Sequence, residues 1–271
     1  MRVLFWCDME GIGGIVKWDQ VMAGKSQYEE GRQLYTAEIN AAVRGAKKGG
    51  AKEIIVVDGH GAGGDHSFNS LIKDQLEPGA EYVFGYRWGC YIEPLLGADA
   101  MLLPGAHAMA GTENGILSHT MSTENFRMAL INGRAVGESG IVAAIAGSFD
   151  VPVIFVSGDE ATCLEVKSLV GPTLHTVAVK KSLSRYAARC LAPVEACHLI
   201  EIGVEKVLRD RTNWPKPLKF VSPVELKVEL ADPDKSNAFK GKIGCEVLNP
   251  MTVTSKGENF WQAWDQFWYR S

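Results

Sequence analysis

Asp8 and Glu10 follow directly on an apolar run, Val3-Leu4-Phe5-Trp6-Cys7. Carboxylates at the end of a buried strand are costly unless they pair with something or bind a cation. Three later segments repeat the arrangement of strand end followed by a ligand-type residue: Asp58-Gly59-His60, Gly105-Ala106-His107 and Val136-Gly137-Glu138. Imidazole nitrogen and carboxylate oxygen are the donors that zinc and related first-row ions take. Asp8, Glu10, His60, His107 and Glu138 together suit a paired-metal hydrolase, where one ion activates water and the other polarises a carbonyl. Asp8 and Glu10 stand two apart, so on extended backbone they are expected to share a face and reach one small volume.

Other polar residues have plainer readings. His119 lies in the small-residue segment 105–121 and is a candidate proton shuttle or oxyanion stabiliser, because imidazole titrates near neutrality. Asp58 is expected to orient an imidazole, with a turn role as the alternative. His66 reads as solvated rather than as a sixth ligand, and His175 and His198 as bystanders. Cys7 reads as core rather than as a thiolate ligand. Gly11-Ile12-Gly13-Gly14 lets backbone and ligand come close. It lacks the spacing of a dinucleotide loop, and the two acids before it would repel a phosphate.

The elements that must position these residues alternate along the chain. Arg2–Cys7, Glu53–Val57, Glu81–Phe84, Ala100–Leu103, Val151–Ser157 and Thr173–Val179 read as strands. Tyr28–Lys48 reads as a helix, with apolar residues at helical spacing and Gly49-Gly50 as its stop. Gly137–Gly147, Ala161–Val170 and Pro193–Arg209 read as further helices. Glu124–Ile131 ends in Asn132-Gly133, a hairpin signal. This alternation predicts an α/β fold with a mostly parallel sheet flanked by helices, and such sheets place ligands at the carboxyl ends of their strands. Trp214-Pro215-Lys216-Pro217 reads as a turn or linker. We therefore expect an α/β catalytic domain over 1–212 and a smaller C-terminal α+β region, serving packing or assembly, over 213–271. That region is expected to hold a strand, Val224–Leu230, and a terminal helix. The terminal helix carries Phe260, Trp261, Trp264, Phe267 and Trp268, a stripe that reads as core or subunit contact rather than as a stacking platform.

Composition sets outer bounds. The chain has 271 residues, 46% hydrophobic, enough for a sizeable core. Its 28 basic and 32 acidic residues leave a net charge of −4, with no basic run to suggest nucleic acid or an anionic membrane. No signal or transmembrane pattern opens the sequence, so a cytoplasmic protein is expected. The six cysteines form no C-x-x-C pair and read as scattered thiols.

Taken together, Asp8-Met9-Glu10-Gly11-Ile12, Asp58-Gly59-His60, Gly105-Ala106-His107-Ala108, Ser118-His119-Thr120-Met121 and Asn132 to Glu138 closely resemble the zinc-dependent D-aminopeptidases of the DppA type. The resemblance runs in order from Arg2 to about Pro193. It implies two zinc ions per chain, with Asp8 as bridging ligand, Glu10, His60, His107 and Glu138 as the others, and His119 as catalytic histidine. It implies removal of N-terminal D-amino acids, notably D-Ala, from short peptides, and a homo-oligomer of the homodecameric ring kind. By donor type alone the same site also suits Mn2+, Co2+ or Fe2+. Two other functions fit the residues: a binuclear metallohydrolase acting on a non-peptide amide or an N-acyl amino acid, and a non-catalytic ring-forming protein that binds a ligand.

Overall fold

A computed structural model describes residues 1–85 and 92–269; Cys90 lies outside them. Along the chain, β1 (Arg2–Cys7) leads to α1 (Tyr28–Lys48), β2 (Glu53–Asp58), β3 (Glu81–Val83) and β4 (Ala100–Ala106). A hairpin of β5 (Phe126–Ile131) and β6 (Arg134–Val136) then departs from this series. The series resumes with α2 (Glu138–Ser148), β7 (Val153–Asp159), α3 (Glu160–Val170), β8 (His175–Ser184), β9 (Ala187–Cys190) and α4 (Pro193–Arg209). The chain closes with β10 (Val224–Leu230), β11 (Cys245–Asn249), β12 (Thr252–Gly257) and α5 (Phe260–Trp268).

The main sheet has the order β3-β2-β1-β4-β7-β8-β9. Its pairings are parallel except at the edge, where β9 runs antiparallel to β8. Both faces of this sheet are covered, which is why β1, β2, β4 and β7 are apolar almost throughout. Val3, Phe5 and Cys7 of β1 face the core shared with α1 and α4. Leu4 and Trp6 face the opposite core, shared with α2, α5 and the second sheet. The expected α/β class with a mostly parallel sheet is thus the observed one.

The second sheet is antiparallel, in the order β11-β12-β10-β5-β6. β10 pairs with β5, so the segment after residue 213 completes a sheet begun by residues 126–136. The α5 stripe is core: Phe260, Trp264 and Phe267 are buried. Trp268, at the end of the stripe, also reaches the wall of the cavity described next.

Candidate metal centre

The main sheet reverses its strand order at β1, with β2 on one side and β4 on the other. A crevice opens beyond the carboxyl ends of strands at such a point. Asp8 follows β1, His60 lies two residues beyond β2, and His107 follows β4. Glu138 is the first residue of α2, where the helix dipole also favours a carboxylate.

Two glycines let these strand ends meet. Asp8 N donates to Pro104 O at 3.1 Å, and Gly11 N to Gly105 O at 2.8 Å. A Cβ on Gly11 would sit 1.9 Å from the Ala106 carbonyl oxygen, and one on Gly105, whose φ is +77°, 1.9 Å from that of Asp8. Neither position can accept a side chain without the strand ends moving apart.

Asp8 and Glu10 converge, but not along an extended face as expected. The strand ends at Cys7, and Ile12 N donates back to Met9 O at 3.1 Å. A turn, not strand periodicity, brings the second carboxylate round.

The geometry of the cluster is close. His60 Nδ1 lies 3.0 Å from Asp8 Oδ1 and 3.2 Å from Glu10 Oε2. His107 Nε2 lies 3.3 Å from Asp8 Oδ2 and 3.6 Å from Glu138 Oε2. The remaining ring nitrogens face carbonyls, which only accept: His60 Nε2 donates to Val21 O at 2.7 Å, His107 Nδ1 to Ala108 O at 3.0 Å, and His119 Nδ1 to Leu117 O at 2.9 Å. Each outer proton is fixed by its carbonyl, so the inner nitrogen of each ring is free to offer a lone pair to a cation. Donor atoms within 4.8 Å of one another form two groups, Asp8 with Glu10 and His60, and His107 with His119 and Glu138.

Burial and mutual charge shift these groups strongly. Burial raises the Asp8 carboxyl, and the charge of Glu10 adds to it. Burial works against ionised Glu10 too, but the adjacent His60 prevails and lowers it to about 2. Burial opposes protonation of His60, yet Glu10 and Asp8 raise it well above its ordinary value. For His107 burial is likewise outweighed, by Glu138 and Asp8, and its value rises to about 10. The negative surroundings that raise both imidazoles would equally favour a divalent cation. Two buried atoms, Glu10 Oε2 and His107 Nε2, make no hydrogen bond. Carboxylate oxygens, inner imidazole nitrogens and orphaned atoms aimed at one point fit a zinc-type ion.

His119 stacks on His107, with ring centroids 3.9 Å apart and planes 12° from parallel. Its other side meets the edge of Trp18 at 5.4 Å. Burial, with the charge of His107 adding to it, lowers His119 to about 4. Asn114, Leu117 and Met121 hold positive φ values of 55°, 47° and 60° around it. Non-glycine residues tolerate this region only where the surroundings enforce it, and such strain gathers at functional loops. A cavity of about 230 Å³ lies over the cluster, bounded by Asp8, Glu10, His60, His119, Glu138 and Trp268. A larger space of about 620 Å³ also touches Glu10, His60 and His119.

Several supporting residues were not legible as such. Lys180 is buried, and its ammonium donates to the carbonyls of Glu10, Ile12 and Ile15 at 2.6, 2.8 and 2.7 Å. Buried Glu38 accepts from Gly13 N at 2.8 Å. Both clamp the segment that carries Glu10. The sequence did hold one clue: Lys180 and Lys181 are adjacent on a strand, so they face opposite sides of the sheet, and Lys180 follows buried Val179 while Lys181 is exposed.

Asp58 does not bond an imidazole. It accepts from Tyr35 Oη at 3.1 Å and from Leu71 N at 2.9 Å, and so ties the segment after the His60 loop to α1. His66 and His198 are exposed, and His175 stacks on Phe155, all away from the cluster. Cys7 is buried in the core, where burial and the neighbouring charges of Asp58 and Asp8 push its thiol up.

The sequence profile of the D-aminopeptidase family matches residues 1–269. A D-aminopeptidase of Bacillus subtilis (strain 168) is 34% identical over 260 residues, spanning 93% of this chain and 90% of the relative. A solved structure, the Zn-dependent D-aminopeptidase DppA from Bacillus subtilis, described as a self-compartmentalizing protease, superposes with a TM-score of 0.88 at 31% identity. That match covers 98% of this chain and 95% of the other.

Proposed function

The chain belongs to the D-aminopeptidase family, and from that membership we propose that it removes the N-terminal residue of short peptides, with preference for D-residues such as D-Ala, at a site holding two zinc ions. The observation that carries this reading is the placement of Asp8. One of its oxygens faces His60 in the group with Glu10, and the other faces His107 in the group with Glu138. A bridging carboxylate between two ions needs that arrangement. Asp8, Glu10, His60, His107 and Glu138 are the ligands in this reading, and Mn2+, Co2+ or Fe2+ would find the same donors. Zinc in such a site supplies Lewis acidity, lowering the pKa of water and polarising a carbonyl.

The chain's own residues do the rest. With its proton fixed on Nδ1, neutral His119 presents a bare Nε2 to the cavity. In that form Nε2 accepts a proton, and once it holds one it can donate it, which suits both expected roles, proton shuttle and oxyanion stabiliser. We assign it the proton of the attacking water, which it later delivers to the leaving amine. The free amino terminus of the peptide would bind at the second metal or at a nearby acid. Trp268 forms part of the cavity wall beside the cluster.

The assembly is read as a homo-oligomer, in the self-compartmentalizing manner of the structural relative, with a homodecamer as the specific form. Val194 and Ile202 on α4, Val221 and Ile243 are exposed apolar residues that such an assembly would cover. Among the described residues no helix is long and apolar enough to cross a membrane, and the described cysteines are free. Both suit the cytoplasm. A panel of D- and L-aminoacyl peptides, assayed with chelated and zinc-restored enzyme, tests the reading. Zinc-dependent release of D-Ala from peptides with a free amine is expected. Cleavage only of N-acylated substrates would refute it.

A further inference from the structure

Arg185 stands at the turn between β8 and β9, on the wall of the 620 Å³ space that reaches Glu10, His60 and His119. Its side chain is exposed, with two hydrogen-bond partners and two aromatic neighbours. Nη2 donates to Ser118 O at 2.9 Å and Nη1 to Tyr186 Oη at 3.0 Å. The guanidinium lies over the rings of Trp18 and Tyr186, at 5.8 and 5.5 Å. Its carbonyl accepts from Leu117 N at 3.0 Å. These partners are a carbonyl, a hydroxyl and two ring faces. Among the described residues no carboxylate lies within 4.0 Å of this cation.

A pinned guanidinium without a counter-ion, facing a substrate cavity, is a pre-organised fork for a carboxylate. Lys25 adds a second cation to the same wall, while Asp19 and Glu124 add two acids. The wall therefore has no general pull on anions, and recognition would depend on the directed fork. Trp18 touches both Arg185 and His119, at 5.8 and 5.4 Å, so the guanidinium and the imidazole belong to one wall of this space.

We propose that Arg185 binds the C-terminal carboxylate of the peptide while its amino end lies at the metal cluster, so that the site favours short peptides with a free carboxyl group. The proposal rests on the aminopeptidase reading and adds to it a second recognition point.

The test compares D-Ala-L-Ala and D-Ala-L-Ala-L-Ala with their C-terminal amides, in the zinc-loaded full-length enzyme and in Arg185→Gln and Arg185→Glu. The native enzyme is expected to favour the acids in kcat/KM by roughly 10- to 100-fold, the worth of a charge-assisted pair. Arg185→Gln should bring the acid-to-amide ratio to about one, chiefly through KM, and Arg185→Glu should invert it. Equal losses on acid and amide would show that Arg185 only braces Ser118 and the His119 loop, and would overturn the anchor while leaving the aminopeptidase intact. A native enzyme indifferent to amidation would overturn it too. Cleavage of neither series would sink the aminopeptidase reading, and the anchor with it.

Discussion

His107 and His119 stack face to face, 3.9 Å between ring centroids and 12° from parallel. Two imidazoles this close cannot both be cations. His107, beside Glu138 and Asp8, takes the proton, and His119 is held down at about 4. A divalent ion at His107 would have the same effect on its neighbour. Burial and the His107 charge thus favour the neutral form of His119.

Replacing His119 by Gln should then lower kcat by roughly 10²–10⁴-fold, the usual worth of positioned proton transfer. Zinc content should stay at the native level. Metal analysis beside steady-state kinetics checks this, and a parallel loss of zinc would show that His119 is a ligand instead.

Lys180 predicts a coupling between stability and metal affinity. Lys180→Met strips the donor from three carbonyls of residues 10–15. A buried acceptor left unpaired costs about 1–3 kcal/mol. A loss of about 3 kcal/mol or more is expected in urea unfolding, with weaker zinc binding, because the freed segment carries Glu10. Unchanged zinc affinity in a destabilised variant would confine Lys180 to the fold.

Glu38 gives a pH dependence. Burial raises its carboxyl from 4.5 to about 7, against the pull of the Gly13 amide and Lys180. Between these values the folded chain keeps a proton that the unfolded chain has lost. Stability from this group is therefore full below pH 4.5 and is lost as pH rises towards 7. The total is on the order of 3 kcal/mol. Glu38→Gln keeps an acceptor for Gly13 N and removes the titration. Its stability relative to the native chain should rise from pH 5 to pH 8, read by chemical denaturation at each pH. A flat difference would contradict the assignment.

These residues show where sequence reading reaches its limit. Asp8, His60 and His107 were visible because each ligand-type residue follows an apolar strand, and α/β topology sends strand ends to one crevice. Glu138 was visible through the hairpin signal and the helix that follows it. Helix α1 was legible to the residue, from its apolar spacing and the Gly49-Gly50 stop. The turn that swings Glu10 round was not, since alternation does not register where a strand ends. Lys180 and Glu38 resemble solvated charges in the sequence, and only the packing of α1 and β8 against the Gly11–Ile15 segment buries them. Strands β9, β11 and β12 are short and mixed in polarity, and their pairing partners rather than their own patterns make them strands.

The central claim is that Asp8 joins two ion sites, and zinc titration into chelator-stripped protein tests it most directly. The native chain should bind two equivalents tightly, whereas Asp8→Ala should fail to hold either ion. A native chain that takes up none, or an Asp8→Ala chain that still binds two with native affinity, would contradict the account.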